Sequence, residues 1–354
     1  MLPTDWPLPS SQQKSSGTPF AGPVARGIST ARTSTAPPSL APESAAGVGG
    51  SLNLVEQRVL DAVEVASDFQ VRLELEALWA LLPEEGPPTV EALAAWIRAH
   101  PTLGRLDESR VLPARRMDLP MRPDRELRAD HYHLAAERLV RSDLWATLPW
   151  VRFIGVTGSA AYGKPAETDD CDLMAIVRPG TVWLFLAYAF LRLRLRRPLG
   201  GPPGEPRWCL NYVLDDPAAR RQYSRPRGFL FAREALSVRP VRGEGYYRQL
   251  LEASDWLREE VPRLYARWGL HPSPAPADPF WPPWPVRALN ALTFPVLAAY
   301  LQFKGLWTNH RFNVTGRGER SFRTITRVDR MVLATRKFEQ LGARWASANR
   351  LTPE

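Results

Sequence analysis

Residues 150–177 constrain this chain more than any other stretch. They read Trp-Val-Arg-Phe-Ile-Gly-Val-Thr-Gly-Ser-Ala-Ala-Tyr-Gly-Lys-Pro-Ala-Glu-Thr-Asp-Asp-Cys-Asp-Leu-Met-Ala-Ile-Val. Two β-prone apolar runs, Val151–Thr157 and Leu173–Val177, bracket a Gly–Ser pair and an acidic cluster. Gly158 and Ser159 fall where the first strand would turn into a helix. A glycine there lets backbone amides approach a ligand closely, and amides at a helix start favour anions. Side chains on a strand alternate between faces, so Asp170 and Asp172 are expected to point one way and Cys171 into the core. Asp169 breaks this alternation and reads as a supporting or solvent-facing carboxylate. Two carboxylates on one face at a strand end suit a hard, oxygen-liganded cation such as Mg²⁺ (or Mn²⁺). Such ions bridge a nucleoside triphosphate and stabilise in-line displacement at phosphorus. Lys164, in the loop between the two halves, is a candidate to reach the triphosphate. A solvated loop lysine is the alternative.

Gly158–Ser159 and Asp170–Cys171–Asp172–Leu173, with ten residues between Ser159 and Asp170, resemble the signature of the polymerase-β-like nucleotidyltransferase superfamily. The stretches 178–183, 209–214 and 231–240 extend the likeness. They resemble a group of uncharacterised bacterial proteins that join a winged-helix-like N-terminal part to a nucleotidyltransferase-like domain and a helical tail. That likeness covers roughly residues 52–268. It implies an α+β fold with a mixed-sheet nucleotidyltransferase-like domain at 124–240 (core 150–216). A winged-helix-like domain at 52–123 would precede it, and a helical C-terminal region at 241–346 would follow. It further implies a metal-dependent transfer of a nucleoside monophosphate to an acceptor, whether protein, nucleic acid or small molecule. Asp170 and Asp172 would hold the metal, and Gly158 and Ser159 the phosphate.

The pattern departs from the superfamily at one position. Active members carry a third carboxylate on a later strand, and the polar residue within the matching run Trp208–Leu214 is Asn211. An amide oxygen can ligate a cation, but it brings no negative charge and is no general base at neutral pH. Asp215 and Asp216 lie just beyond and are the alternative source of that carboxylate, although they read more as strand-end turn residues before Pro217. A non-catalytic nucleotide-binding or interaction protein of the same fold therefore stands beside the transferase. A DNA-binding regulator using residues 52–123 is a further alternative. The third helix of that part, Thr89–His100, offers little beyond Arg98 and His100 for a groove, which favours a scaffold role.

Elsewhere the sequence sets broader limits. Residues 1–50, rich in Pro, Ser, Thr, Ala and Gly without hydrophobic periodicity, read as a disordered tail. Apolar residues at helical spacing predict helices through Val55–Ala66, Leu73–Leu82 and Leu93–Ile97, the last capped by Thr89. Two short strands follow, Thr102–Leu106 and Arg110–Leu112, with a turn at 107–109. Asp124–Trp145 reads as a long helix with Leu127, Tyr132, Leu134, Leu139 and Leu144 as its apolar residues. Residues 286–346 read as helical around a basic break carrying Arg311, Arg317, Arg320 and Arg323.

The balance of 46 Lys+Arg against 37 Asp+Glu, formally +9, favours phosphate-bearing partners. Two cysteines make neither a disulfide framework nor a zinc site, so reduced thiols in the cytoplasm are expected. The apolar stretches Thr181–Leu191 and Val286–Leu301 fall short of the roughly 18–20 residues of a span, and the second holds Asn290 and Pro295. Both read as buried core helices, with no membrane span. Arg192, Arg194, Arg196 and Arg197 read as a phosphate patch or as complements to a helix dipole.

Overall fold

The computed structural model describes residues 52–68, 71–114, 124–142, 148–163, 165–166, 169–196, 205–271, 281–316 and 321–335. The expected tail, residues 1–50, lies outside them, as do Lys164, Leu144, Arg197, Arg317 and Arg320.

The first described part runs helix α1 (Leu54–Asp68), strand β1 (Leu73–Glu74), helices α2 (Leu75–Ala80) and α3 (Val90–Ala99), then strands β2 (Arg105–Asp107) and β3 (Arg110–Leu112). The strands form an antiparallel sheet in the order β1-β3-β2. Thr89 caps α3 as its sequence position predicts, its hydroxyl accepting the Ala92 N–H at 3.2 Å. Leu73 departs from the helical expectation. Pairing with Val111 outweighs its helical spacing, and the ion pair Arg110–Glu74 spans the same two strands.

Helix α4 (Asp124–Ser142) follows. Its buried stripe is Ala129, Tyr132, Ala136 and Leu139, at spacings of three and four that keep to one helix face. Leu127 and Leu134, expected in that stripe, are exposed. They sit off this face, and small alanines rather than leucines allow α4 to approach the sheet.

The main sheet is mixed. Strand β4 (Val151–Thr157) leads through the single turn α5 (Gly158–Ala161) to β5 (Cys171–Val177). Helix α6 (Val182–Arg196) crosses to β6 (Trp208–Asp215), which runs parallel to β5. Helices α7 (Asp216–Tyr223) and α8 (Gly228–Ser237) precede strand β7 (Arg239–Arg242). Then come α9 (Glu244–Glu252), α10 (Trp256–Glu260), α11 (Pro262–Arg267) and the long α12 (Trp284–Val314), and last β8 (Phe322–Arg327) and β9 (Arg330–Thr335). The strand order is β7-β4-β5-β6-β9-β8.

Central β5 is covered on both faces, which is why its sequence reads as a nearly unbroken apolar run. Cys171, Leu173, Ala175 and Val177 enter one core with α4, α6 and α12. Met174 and Ile176 enter the other, together with α7 to α11 and the first helices, through Val59, Leu78 and Leu93. This second core is continuous from the N-terminal helices to the sheet, and residues from Leu52 onward belong to one compact unit.

The C-terminal region is helical through Val314, as expected, and then departs from the helical reading. Residues 322–335 form a hairpin whose second strand pairs with β6. Its Thr- and Val-rich alternation suits an edge of the sheet better than a helix. Helix α12 also differs from a buried core helix. One face is tied down through Asn290, Ala298, Leu301 and Gly305. The opposite face is exposed from Leu289 to Val314. Among the described residues no helix is long and apolar enough to cross a membrane.

Candidate active site

Three strands bring one side chain each to a common point. Thr157 on β4 and Cys209 on β6 are the register partners of Asp172 on β5, so all three side chains share a sheet face. Asp172 is half-buried. Burial, followed by the charges of Asp170 and Asp169, pushes its carboxyl up to about 8, while the Cys209 thiol donates a hydrogen bond to it. Asp170 stands exposed just before the strand, and its charge reaches both Asp172 and Cys209. Cys171 points into the opposite core, as the alternation requires, and burial raises its thiol.

Gly158 closes against this carboxylate. Its φ is +64°, and a Cβ built there would lie 2.6 Å from Asp172 Oδ2. The turn and the acidic strand, ten residues or more apart in sequence, are therefore in contact. Ser159 Oγ donates to Asp169 Oδ2 at 2.8 Å, and the Ala166 N–H donates to the same oxygen at 2.8 Å. Asp169 thus fastens the intervening loop onto the Gly–Ser turn, the supporting role its position suggested. Helix α4 holds that loop from the other side. Tyr132 donates to the Asp169 carbonyl and Arg128 to the Pro165 carbonyl, each at 3.0 Å.

Asn211 occupies a β-bulge. Leu173 pairs with Leu210 and Met174 with Tyr212, leaving Asn211 as the extra residue of β6. Its Oδ1 accepts from Thr157 Oγ1 at 3.5 Å, across β5. Asp215 and Asp216 do not substitute for a carboxylate at this point. Asp215 pairs with Val177 at the far end of the strands and caps α7 by accepting the Ala218 N–H at 2.9 Å. Asp216 is fully buried and ion-paired to Arg220 at 2.6 Å.

Two side chains from α8 join the site without having been singled out in sequence. The charge of Glu234 acts on Asp172. The Arg233 guanidinium lies 4.1 Å above the ring of Tyr162, in the loop after the Gly–Ser turn. Arg233 is buried, and its Nη1 has no hydrogen-bond partner among the described residues. From α12, the charge of Lys304 reaches Cys209. No site role is read for these residues in sequence, although Arg233 and Glu234 fall within the stretch 231–240 that extends the family likeness. A basic–acidic pair inside an otherwise apolar helix, Phe-Ala-Arg-Glu-Ala-Leu, is the signal that was available. Arg323, part of the basic break in the sequence, lies on β8 with β9 between it and β6.

The donor set suits a divalent cation in kind: two carboxylates whose charges oppose each other, with an amide on the neighbouring strand. Among the described residues no group of three or more His, Cys, Asp and Glu side chains surrounds a metal position. Neither a protein-family model, nor a curated protein, nor a solved structure matches the chain.

Proposed function

We propose that residues 150–216 form the nucleotide site of a nucleotidyltransferase that moves a nucleoside monophosphate from a nucleoside triphosphate to an acceptor. The observation that carries this reading is the contact of Gly158 with the Asp172 carboxylate. It makes one locus of a turn able to receive phosphate and a strand able to hold a cation. Asp170 and Asp172 would hold Mg²⁺ or Mn²⁺, which when bound supplies positive charge to the triphosphate. Arg233 is the cation on the protein side, and Asn211 stands where a third carboxylate would be. Asp169 acts by fixing the loop between the two halves of the motif.

The mixed sheet, with β4 antiparallel to β5 and β5 parallel to β6, is compatible with this superfamily. The order helix, strand, helix, helix, strand, strand supports a winged-helix reading of residues 52–114. A role in scaffolding fits that part better than DNA reading. Arg263 of α11 donates to the backbone of Gly86 between its helices, and His100 is stacked on Trp96.

A second reading is favoured by Asn211 and by the engagement of Asp215 and Asp216 elsewhere: the site binds nucleotide and does not turn over. Incubation with each α-labelled nucleoside triphosphate, Mg²⁺ or Mn²⁺ and cell extract separates the two. Label transferred by the native chain and lost in Asp170→Asn/Asp172→Asn supports transfer, and the labelled species identifies the acceptor. Saturable triphosphate binding without transfer supports the second reading. Absence of both rejects the nucleotide site.

A further inference from the structure

We propose that the outer face of α12 seats this protein on an anionic lipid surface, peripherally and without crossing the bilayer. The inference is independent of the nucleotide site.

The helix has 31 residues and is clamped along one side only. Asn290 Oδ1 accepts from the Trp183 N–H at 2.8 Å. Gln302 donates to the Thr324 carbonyl at 3.0 Å. Asn309 Nδ2 donates to the Phe322 carbonyl at 2.6 Å. These polar side chains fix α12 to α6 and to the hairpin, so it lies on the protein rather than standing free.

The other side is apolar and open. Leu292, Val296, Phe303 and Leu306 are 71%, 70%, 68% and 70% exposed, and Trp307 is 58% exposed. From Leu292 to Leu306 this stripe runs about 21 Å at the usual helical rise. Exposed apolar faces of that extent mark interaction surfaces.

Charge selects the occupant. No Asp or Glu occurs in α12 or in α6, which packs against it. Both helices carry cations, and of those on α12 Arg287 lies over the Trp281 ring, the charge of Lys304 reaches Cys209, and Arg311 is exposed. Arg311 falls to one side of the stripe, about 80° around the helix from Phe303. An apolar face with an exposed arginine at its border and exposed tryptophans at Trp284 and Trp307 has the make-up of a helix lying in a lipid interface. A second copy would bring the same cations together with no carboxylate on these helices to meet them. Residues 336–354 are also net basic, with Arg336, Lys337, Arg344 and Arg350 against Glu339 and Glu354, so they repel rather than complement the same border.

The test is flotation of the full-length chain with vesicles of phosphatidylcholine alone and with 30% phosphatidylglycerol, at low and high salt. At least tenfold more protein is expected on the anionic vesicles, released by high salt. Phe303→Asp and Arg311→Glu, both at exposed positions that leave the circular dichroism spectrum intact, are each expected to lower binding at least tenfold. Equal binding to neutral vesicles overturns the assignment, as does binding that Phe303→Asp leaves unchanged. No binding to either vesicle also overturns it. Sedimentation velocity then assigns the face to a second copy if Phe303→Asp abolishes a dimer.

Discussion

The Asp172 carboxylate occupies the space that any side chain at position 158 would need. Its Oδ2 is 2.6 Å from the Cβ position of Gly158, whose backbone is left-handed at φ +64°. Gly158→Ala therefore adds two costs. The left-handed backbone costs about 1–2 kcal/mol for a residue with a Cβ, and the carboxylate must move. Urea denaturation is expected to show the first. The second is expected as at least a hundredfold loss of nucleotidyl transfer, because displacements of about 1 Å carry such factors. Undiminished transfer in Gly158→Ala would contradict the proposed contact between turn and metal-holding strand.

Asn211 touches Thr157 through its acceptor oxygen. A carboxylate accepts the same hydrogen bond, so Asn211→Asp is expected to fold normally. It restores a third negative group at the bulge of β6. In a working transferase the rate is expected to rise roughly a hundredfold, the low end for a positioned proton acceptor. Steady-state kinetics of the variant decide this, and a rate unchanged or lowered argues that the amide is itself the functional group.

Arg233 holds its guanidinium over Tyr162 with one nitrogen unpartnered among the described residues. Its charge also acts on the buried Glu234 carboxyl, which a neutral residue at 233 would leave without that cation. Arg233→Met is expected to raise KM for the triphosphate at least tenfold and also to lower the thermal midpoint, through the loss beside Glu234. A collapse of stability with unchanged KM assigns Arg233 to packing instead.

Asp215 gives the pH dependence that separates folding from function. Burial raises its carboxyl from 3.8 to about 6, with Asp329 adding repulsion. Between those values the folded chain binds more protons than the unfolded chain. Stability therefore falls as pH rises from about 4 to 6 and is level above that, a contribution of up to about 3 kcal/mol. Asp215→Asn keeps the acceptor for the Ala218 N–H. It is expected to gain about 1–3 kcal/mol in urea denaturation at pH 7.5 and to gain nothing at pH 3.5. An equal gain at both values would show that ionisation of Asp215 is not the cause.

Strands β4 and β5, the Gly–Ser turn between them, the alternation of Cys171 and Asp172 and the Thr89 cap were all legible in the sequence. Each rests on local rules: alternation along a strand, a left-handed residue at a turn, a hydroxyl one position before a helix. The supporting role of Asp169 followed from the same alternation. Other features needed contacts between distant segments. Leu127 and Leu134 face outward because α4 packs through alanines. Residues 322–335 are strands because the edge of β6 offers backbone partners. Arg233 and Glu234 reach the site because α8 packs on the same core as Met174 and Ile176. Asn211 becomes a bulge because β6 carries one residue more than β5 at that register. Dihedral preference and periodicity are properties of neighbours in the chain. Register, burial and electrostatic neighbourhood belong to segments brought together by the fold, and those decide which of the legible residues share a site.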